Sequence, residues 1–566
     1  MAFKISDYVI ERLKEQGVDT LFGVPSFYNA ALYYSAERAA GFSTIVTSSD
    51  LEAGYAADGY ARVRGLSVVA VSYGPGTLSL ANAVAGAYVE RSPVFIVNGG
   101  PSDKNIGDQT STGVLYSHSI GRPHTDLEVL QPLTAFCERA TDPALIPGKV
   151  DQAIRTAIVR KHPVYLEISQ IMLGANTSRP TTPLDLSIPA GAAAKTASAI
   201  LKAIKAAKAP VLIVGVEVQR YGLAAGMLSI INKLKIPWAT TLLARTTLSE
   251  QHTKFLGVFN GEKAPQTLKA AISGADLVVS LGAVFGSGHA TIMVPQSTKT
   301  IRVWDGSVVT FNGAPERLSF PELIAQLDRN AVVESDKPLP ALPPYRVHEL
   351  GEAAWDGDRD AALPPTGRTS ATVATAVAPG MSYDELFQVI EQSVAPDPGL
   401  IMVADTFLGI YPSARIRMPV QNSFLASAIW ASIGHSVAAA VGVAAAKAKR
   451  PVVICGDGGF QMTAQSLSTM ARYALDAIVV VVDNGLYGYE QYLLDPGYYS
   501  GASAPLPISV IGRWDYLGLA RALRIAQVAV ATTAAELSTA IATARAQNGP
   551  ALIQAIVPSR SLPAGL

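Results

Sequence analysis

The sequence predicts an α/β chain of three doubly wound, parallel-sheet domains, and three observations carry that expectation. Short apolar runs alternate with helical patterns along most of the 566 residues, the rhythm of parallel strands joined by crossover helices. Several runs end in glycine-rich turns, such as Gly74-Pro75-Gly76 and Gly456-Asp457-Gly458-Gly459. Proline-rich stretches at 179–189 and 337–378 break the rhythm and read as connections. The expected units are residues 1–175, 190–336 and 381–566, with 337–380 as a linker.

Taken in order, residues 1–17 form an amphipathic helix. Leu21–Pro25 and Thr44–Thr47 read as strands, and a helix runs through Gly59-Tyr60-Ala61-Arg62. Ser67–Ser72 is a third strand, whose turn opens a helix over Leu78–Val89. Val94–Asn98 is a fourth, and Val164–Ile168 the last of this unit. The second unit starts with a strand at Pro210–Gly215, a helix at Gly222–Lys233 and a strand at Trp238–Thr241. Leu277–Leu281 and Thr300–Trp304 follow as strands. No Gly-x-Gly-x-x-Gly follows its first strand, so a dinucleotide is not expected there. Ser382 opens the amphipathic helix of the third unit.

Composition narrows the function. Hydrophobic residues are 49% and charged residues 16%, with Lys+Arg and Asp+Glu equal at 45 each. That balance argues against nucleic acid or a polybasic membrane contact. Cys137 and Cys455 lie far apart in apolar contexts and read as small buried hydrophobes. The first helix has acidic residues and no apolar signal core, so a cytoplasmic location is expected. Residues 426–446 carry no Asp, Glu, Lys or Arg. Their Ala, Ser and Gly content suits a helix packed inside a core rather than a membrane span.

The stretch Pro451–Gln491 concentrates the chemistry. Val452–Cys455 reads as a buried strand, 463–474 as a helix, and Ile478–Val482 as a second strand ending at Asp483-Asn484. Both strand ends open on one sheet edge, where α/β folds bind ligands. Asp457 offers a carboxylate and Asn484 a carbonyl, the hard oxygens that Mg²⁺ prefers alongside water and phosphate. Gly456, Gly458 and Gly459 let backbone N–H groups approach a phosphate at a helix start.

Gly-Asp-Gly, with Asn484 twenty-six positions beyond Gly458, resembles the signature of thiamine diphosphate (ThDP) enzymes. The chain is most similar to the 2-oxo acid decarboxylases of the pyruvate and indolepyruvate decarboxylase type. The family pattern ends in Asn or Asn-Asn, and here the pair is Asp483-Asn484. The resemblance implies ThDP and Mg²⁺, with the metal on Asp457, Asn484 and the Leu486 carbonyl. It implies Ile433 as the apolar wedge under the cofactor and the Ala431 carbonyl beside its pyrimidine amino group. Thr406 joins the implied cofactor contacts. It also implies pyrimidine- and diphosphate-binding first and third domains, a homodimer or homotetramer with sites between subunits, and a small 2-oxo acid or aldehyde substrate.

Three positions depart from the pattern. The family carboxylate for pyrimidine N1′ is a Glu eight residues before Asp58 of Asp58-Gly59-Tyr60-Ala61-Arg62; here it is Asp50. Asp is one methylene shorter, about 1.5 Å of reach. Glu52, two residues on, points to nearly the opposite helix face. In Leu115–Gly121 the family's His-His pair becomes Ser117-His118. The family's first-turn Asp falls on Phe27, beside Ser26. Glu490 keeps the acid after the Asn. Asp50, His118 and Glu490 are therefore the expected catalytic residues. Ser26, Phe27, Tyr73, Ser117 and Tyr487, with Tyr28 and Tyr116, are expected to line an apolar substrate pocket. His124 and His435 receive no role. The leading expectation is decarboxylation of a 2-oxo acid through a C2 ylid and an enamine. A carboligase or C–C lyase forming or cleaving acyloins is the alternative, favoured by the missing acid–base groups. A ThDP-binding relative without turnover is the third.

Overall fold

The computed structural model describes residues 2–310, 314–334, 337, 380–564 and 566. The expected linker at 337–380 lies almost wholly outside them. The N-terminal unit is a six-stranded sheet. Its strands are β1 (Thr20–Gly23), β2 (Ser43–Val46), β3 (Ser67–Ala70), β4 (Val94–Gly100), β5 (Cys137–Ala140) and β6 (Val164–Ser169). They are all parallel, in the order β2-β1-β3-β4-β6-β5. β5 was not expected: it is an edge strand with Glu138 and Arg139 at its centre, so it shows no apolar run.

The middle sheet has seven strands: β7 (Pro210–Val214), β8 (Trp238–Thr241), β9 (Phe255–Phe259), β10 (Leu277–Leu281), β11 (Thr300–Trp304), β12 (Ser307–Val309) and β13 (Glu316–Arg317). Its order is β13-β12-β11-β10-β7-β8-β9. The last two strands in sequence add an antiparallel edge to an otherwise parallel sheet. The third sheet holds β14 (Leu400–Ala404), β15 (Phe424–Ala426), β16 (Arg450–Gly456), β17 (Ile478–Asp483), β18 (Gln527–Ala531) and β19 (Ala551–Ile556). It is fully parallel, in the order β15-β14-β16-β17-β19-β18. β15 lies on one side of β14 and β16 on the other. The order in which the chain adds strands across the sheet therefore reverses at β14, and the crevice at the carboxyl ends of β14 and β16 is a topological switch point, where α/β folds bind ligands.

The first and third units share one continuous apolar core. At its centre the helix Asp50–Arg64 crosses the helix His435–Ala445. A Cβ on Gly442 would come within 1.7 Å of the Ala56 carbonyl oxygen, and one on Gly59 within 2.2 Å of the Ala439 carbonyl oxygen. Only glycine permits that approach of backbones. The charge-free stretch 426–446 is not one helix. It passes from β15 through a loop and becomes helical at His435, after the left-handed Gly434. Among the described residues no helix is long and apolar enough to cross a membrane. The turn expected at Gly456–Gly459 is also replaced. The helix Asp457–Thr463 starts directly, with extended Gly456 as its cap and Asp457 in its first turn, where a carboxylate is favoured by the helix dipole.

Candidate active site

Parallel strands place Asp457 and Asn484 at adjacent ends. Gly456 of β16 pairs with Val482 of β17, so the residues that follow emerge together. Asp457 is 1% exposed. It accepts hydrogen bonds from Gly458 N at 3.0 Å and Gly485 N at 2.7 Å. Burial pushes its carboxyl up to about 7, helped by neighbouring Asp483 and opposed by those two N–H groups. Asn484 donates from Nδ2 to the Tyr383 hydroxyl at 3.2 Å and accepts from Leu486 N at 3.0 Å. Its amide is thereby held with the oxygen facing the turn.

A cavity of about 200 Å³ opens beside them. Thr406, Ala431, Ile433, Gly456–Gly459, Asn484 and Leu486 line it, together with Tyr487, Tyr489 and Glu490. Every cofactor-binding and metal residue expected from the sequence thus falls on one cavity. A Cβ on Gly458 would meet the Tyr487 ring at 2.4 Å, so the turn must stay bare. The donor set is one buried carboxylate with neutral oxygens. Among the described residues no group of three or more His, Cys, Asp or Glu side chains is placed to hold a metal. A dication bound here needs further oxygens, as Mg²⁺ takes from water and phosphate. A buried carboxylate with no buried counter-charge, a glycine-rich helix start and carbonyl oxygens fit a metal-held diphosphate.

The loop 427–434 that presents Ala431 and Ile433 is fixed from three sides. Glu90, buried in the first unit, accepts from Ile429 N at 2.8 Å and Trp430 N at 2.9 Å. Its other oxygen pairs with Arg62 at 2.6 Å. Tyr55, also of the first unit, shares a 2.6 Å hydrogen bond with the Ser432 hydroxyl. Asp405, at the end of β14, accepts from Gly434 N at 3.0 Å, Ser436 Oγ at 2.6 Å and Thr406 N at 2.6 Å. Ala431 itself has φ 54°, left-handed backbone that an alanine holds only when its surroundings impose it. His435 is buried and bonds Asp58 at 2.7 Å; it belongs to this scaffold. Glu90 and Asp405 were missed from the sequence. Asp405 carried a signal, a lone acid ending an apolar run. Glu90 carried none.

The remaining candidates gather on the first unit. Asp50 opens its helix one residue after Ser49, which is the cap. It is half-buried, and burial raises its carboxyl above the ordinary value. A Cβ on Gly76 would lie 3.1 Å from its Oδ1. Glu52 faces elsewhere, as expected. It is fully buried and accepts from Ser48 N at 2.8 Å, against Ser466 and Thr469 of the third unit. His118 has φ 65° and packs edge-on to Tyr28 and Tyr73, ring centroids 5.8 and 5.4 Å away. Tyr73 donates to the Ser117 carbonyl at 2.6 Å. Tyr116 stands 6.3 Å from Tyr73, and Phe27 is 5.7 Å from Tyr28 while remaining 76% exposed. Ser26 lies in the same loop and takes its N–H bond to Asn29. His124 is exposed at a helix start. The structure therefore gathers the expected residues in two separate groups. One holds Asp457, Asn484 and Glu490; the other holds Asp50, His118 and the aromatic group. All residues lining the 200 Å³ cavity come from the third unit.

Comparisons with known proteins agree with this architecture. Family models match in order: the thiamine pyrophosphate enzyme N-terminal TPP binding domain over residues 3–120, the central domain over 197–312, and the C-terminal TPP binding domain over 409–555. A pyruvate decarboxylase of Hanseniaspora uvarum is 28% identical, over 90% of this chain and 91% of its own. An alpha-keto-acid decarboxylase of Mycobacterium bovis is also 28% identical, over 99% of this chain and 95% of its own. The solved Rhodococcus jostii RHA1 thiamine diphosphate-dependent 4-hydroxybenzoylformate decarboxylase shares the fold, with TM-score 0.76 and 19% identity over 98% of this chain and 99% of its own. With all three domains in sequence and the cofactor cradle formed, the chain belongs to the thiamine diphosphate-dependent 2-oxo acid decarboxylase family.

Proposed function

We propose that this chain catalyses the ThDP- and Mg²⁺-dependent, non-oxidative decarboxylation of a 2-oxo acid with a largely apolar tail. One observation carries the reading: the nine residues expected to hold cofactor and metal line a single cavity of about 200 Å³. Asp457, Asn484 and the Leu486 carbonyl hold the metal, and the bare Gly458 turn admits the diphosphate. Ile433 and the Ala431 carbonyl orient the cofactor rings from the loop that Glu90 and Asp405 brace. When bound, ThDP supplies the electron sink that lets CO₂ leave. Asp50 holds the proton at pyrimidine N1′. Glu490 and His118 move protons at the reacting carbon, and Phe27, Tyr28, Tyr73, Tyr116 and Tyr487 exclude water around the tail. The functional unit is a cytoplasmic homodimer or homotetramer, with domain limits at 175, 190–336 and 381.

A second reading, carboligation to an acyloin, is favoured by Phe27. It stands where the family places an acid, and it is apolar and 76% exposed in the single chain. With Ser117 it removes two proton carriers, and a general acid contributes about 10²–10⁴-fold to a step. Slower release of the aldehyde leaves time for a second carbonyl to react. Measuring CO₂ and acyloin from a panel of 2-oxo acids and aldehydes tests both readings. CO₂ release with aldehyde as the main product supports decarboxylation. Acyloin as the main product supports ligation. Neither product from any pair, with ThDP bound, refutes both. Phe27→Asp with Ser117→His is expected to shift product toward aldehyde.

A further inference from the structure

The pairing of Gly456 with Val482 sets Asp457 beside Asp483, the last residue of β17, at the carboxyl ends of the two strands. Asp483 is 3% exposed. Its Oδ2 accepts from Gln554 Nε2 at 2.7 Å. Its Oδ1 is buried and has no hydrogen-bond partner among the described residues. Leaving one oxygen of a buried carboxylate unpaired is costly. Asp457 is itself an acceptor, with its oxygens taking Gly458 N and Gly485 N, so it offers Asp483 no donor. Arg513 lies nearby, its Nε 3.2 Å from where a Cβ on Gly485 would stand, but it is exposed and its charge is screened by solvent. Two buried carboxylates thus share one strand edge without a buried counter-charge.

We propose that Asp483 supplies the second negative charge of the metal site, so that this chain captures a divalent cation before the diphosphate arrives. The inference rests on the cofactor reading above. One carboxylate with two neutral oxygens leaves a dication dependent on diphosphate for its charge balance. Two adjacent carboxylates balance it within the protein. Asp483 does not itself line the cavity; it acts by its charge from beside Asp457. It is a positioning residue rather than a metal ligand.

The test uses the full chain, freed of metal and ThDP by chelation and dialysis, and Mn²⁺ read by electron paramagnetic resonance. One Mn²⁺ per chain is expected to bind without ThDP, and Mg²⁺ to displace it. Asp483→Asn keeps the shape and the Gln554 contact, and is expected to weaken Mn²⁺ at least tenfold. Adding ThDP is expected to narrow that gap, because diphosphate then supplies the charge. Absence of saturable Mn²⁺ binding in the parent chain without ThDP overturns the proposal, whatever the variant does. Equal affinity in parent and Asp483→Asn also overturns it. Asp457→Ala separates the two layers. If Asp457→Ala loses Mn²⁺ while Asp483→Asn does not, the role of Asp483 alone fails. If neither changes, the metal site itself is refuted.

Discussion

At the scale of single residues, Asp50 and Glu52 divide two tasks that their spacing keeps apart. Asp50 sits at the open start of its helix over Gly76, while Glu52 is sealed against Ser466 and Thr469. Asp50→Asn keeps shape but cannot exchange a proton with N1′. C2–H exchange in bound ThDP, followed by NMR, is expected to fall at least about 10²-fold, whereas Asp50→Glu restores reach and speeds it. Exchange at the parental rate in Asp50→Asn would remove Asp50 from the mechanism. Glu52 makes a different prediction. Burial raises its carboxyl above the ordinary value, against bonds from Thr469 and Ser48. The folded state then holds a proton more tightly than the unfolded one. Its contribution to stability falls as pH rises from the unfolded value through the folded one. Ionised Glu52 therefore costs stability above that window, and Glu52→Gln relieves the cost. The melting midpoint of Glu52→Gln is expected to exceed the parent's by roughly 2 °C at pH 8, with a smaller gain at pH 5. A midpoint at or below the parent's at pH 8 would contradict this.

At the scale of elements, the loop between β15 and the helix at His435 is the part the site depends on most. It carries Ala431 at φ 54° and is anchored by Glu90, Tyr55 and Asp405. Glu90→Ala removes the acceptor of two backbone N–H groups and leaves buried Arg62 with one carboxylate fewer. Glu90→Gln removes the charge but keeps an acceptor. Calorimetry is expected to show ThDP affinity reduced more than tenfold in Glu90→Ala and only a few-fold in Glu90→Gln. Equal losses would mean that charge alone, and not the anchoring of 429–430, sets the loop. This element also shows where the sequence was legible. Buried parallel strands such as β17 announce themselves as unbroken apolar runs, and the spacing of Gly-Asp-Gly to Asn484 picked out residues that line one cavity. Among the strands that stayed hidden, β5 and β13 lie at sheet edges and β12 lies beside β13; their sequences are polar or short, and their burial is set by neighbours, while β9, β14, β15, β18 and β19 were not singled out either. The 426–446 stretch looked uniform because composition does not register the left-handed Gly434 that delays the helix. Glu90 was invisible for a related reason: its partners are backbone N–H groups more than three hundred residues away, and no local pattern encodes them.

At the scale of the whole molecule, the two separate groups of expected site residues border what a single chain leaves exposed. The first unit presents Phe27, Val114, Leu115 and Ile120, all more than half exposed, around His118. The third unit presents Glu490, exposed at the rim of the cavity. An apolar surface of that kind calls for cover. The proposed two-fold dimer would provide it, because one contact placing the first unit of each chain over the cavity of its partner would be made twice. On that proposal each site would draw Asp50 from one chain and Glu490 from the other. Asp50→Ala and Glu490→Ala chains, each weak alone, are expected to complement when mixed and allowed to exchange. A hybrid dimer has one site with both defects and one with neither. Hybrids are half of a random mixture, so about a quarter of the parent's sites are restored. The measurement is CO₂ release before and after exchange, with hybrids isolated by two different affinity tags. Activity of isolated hybrids no greater than that of the single variants would place both residues in one chain's site and refute the shared arrangement.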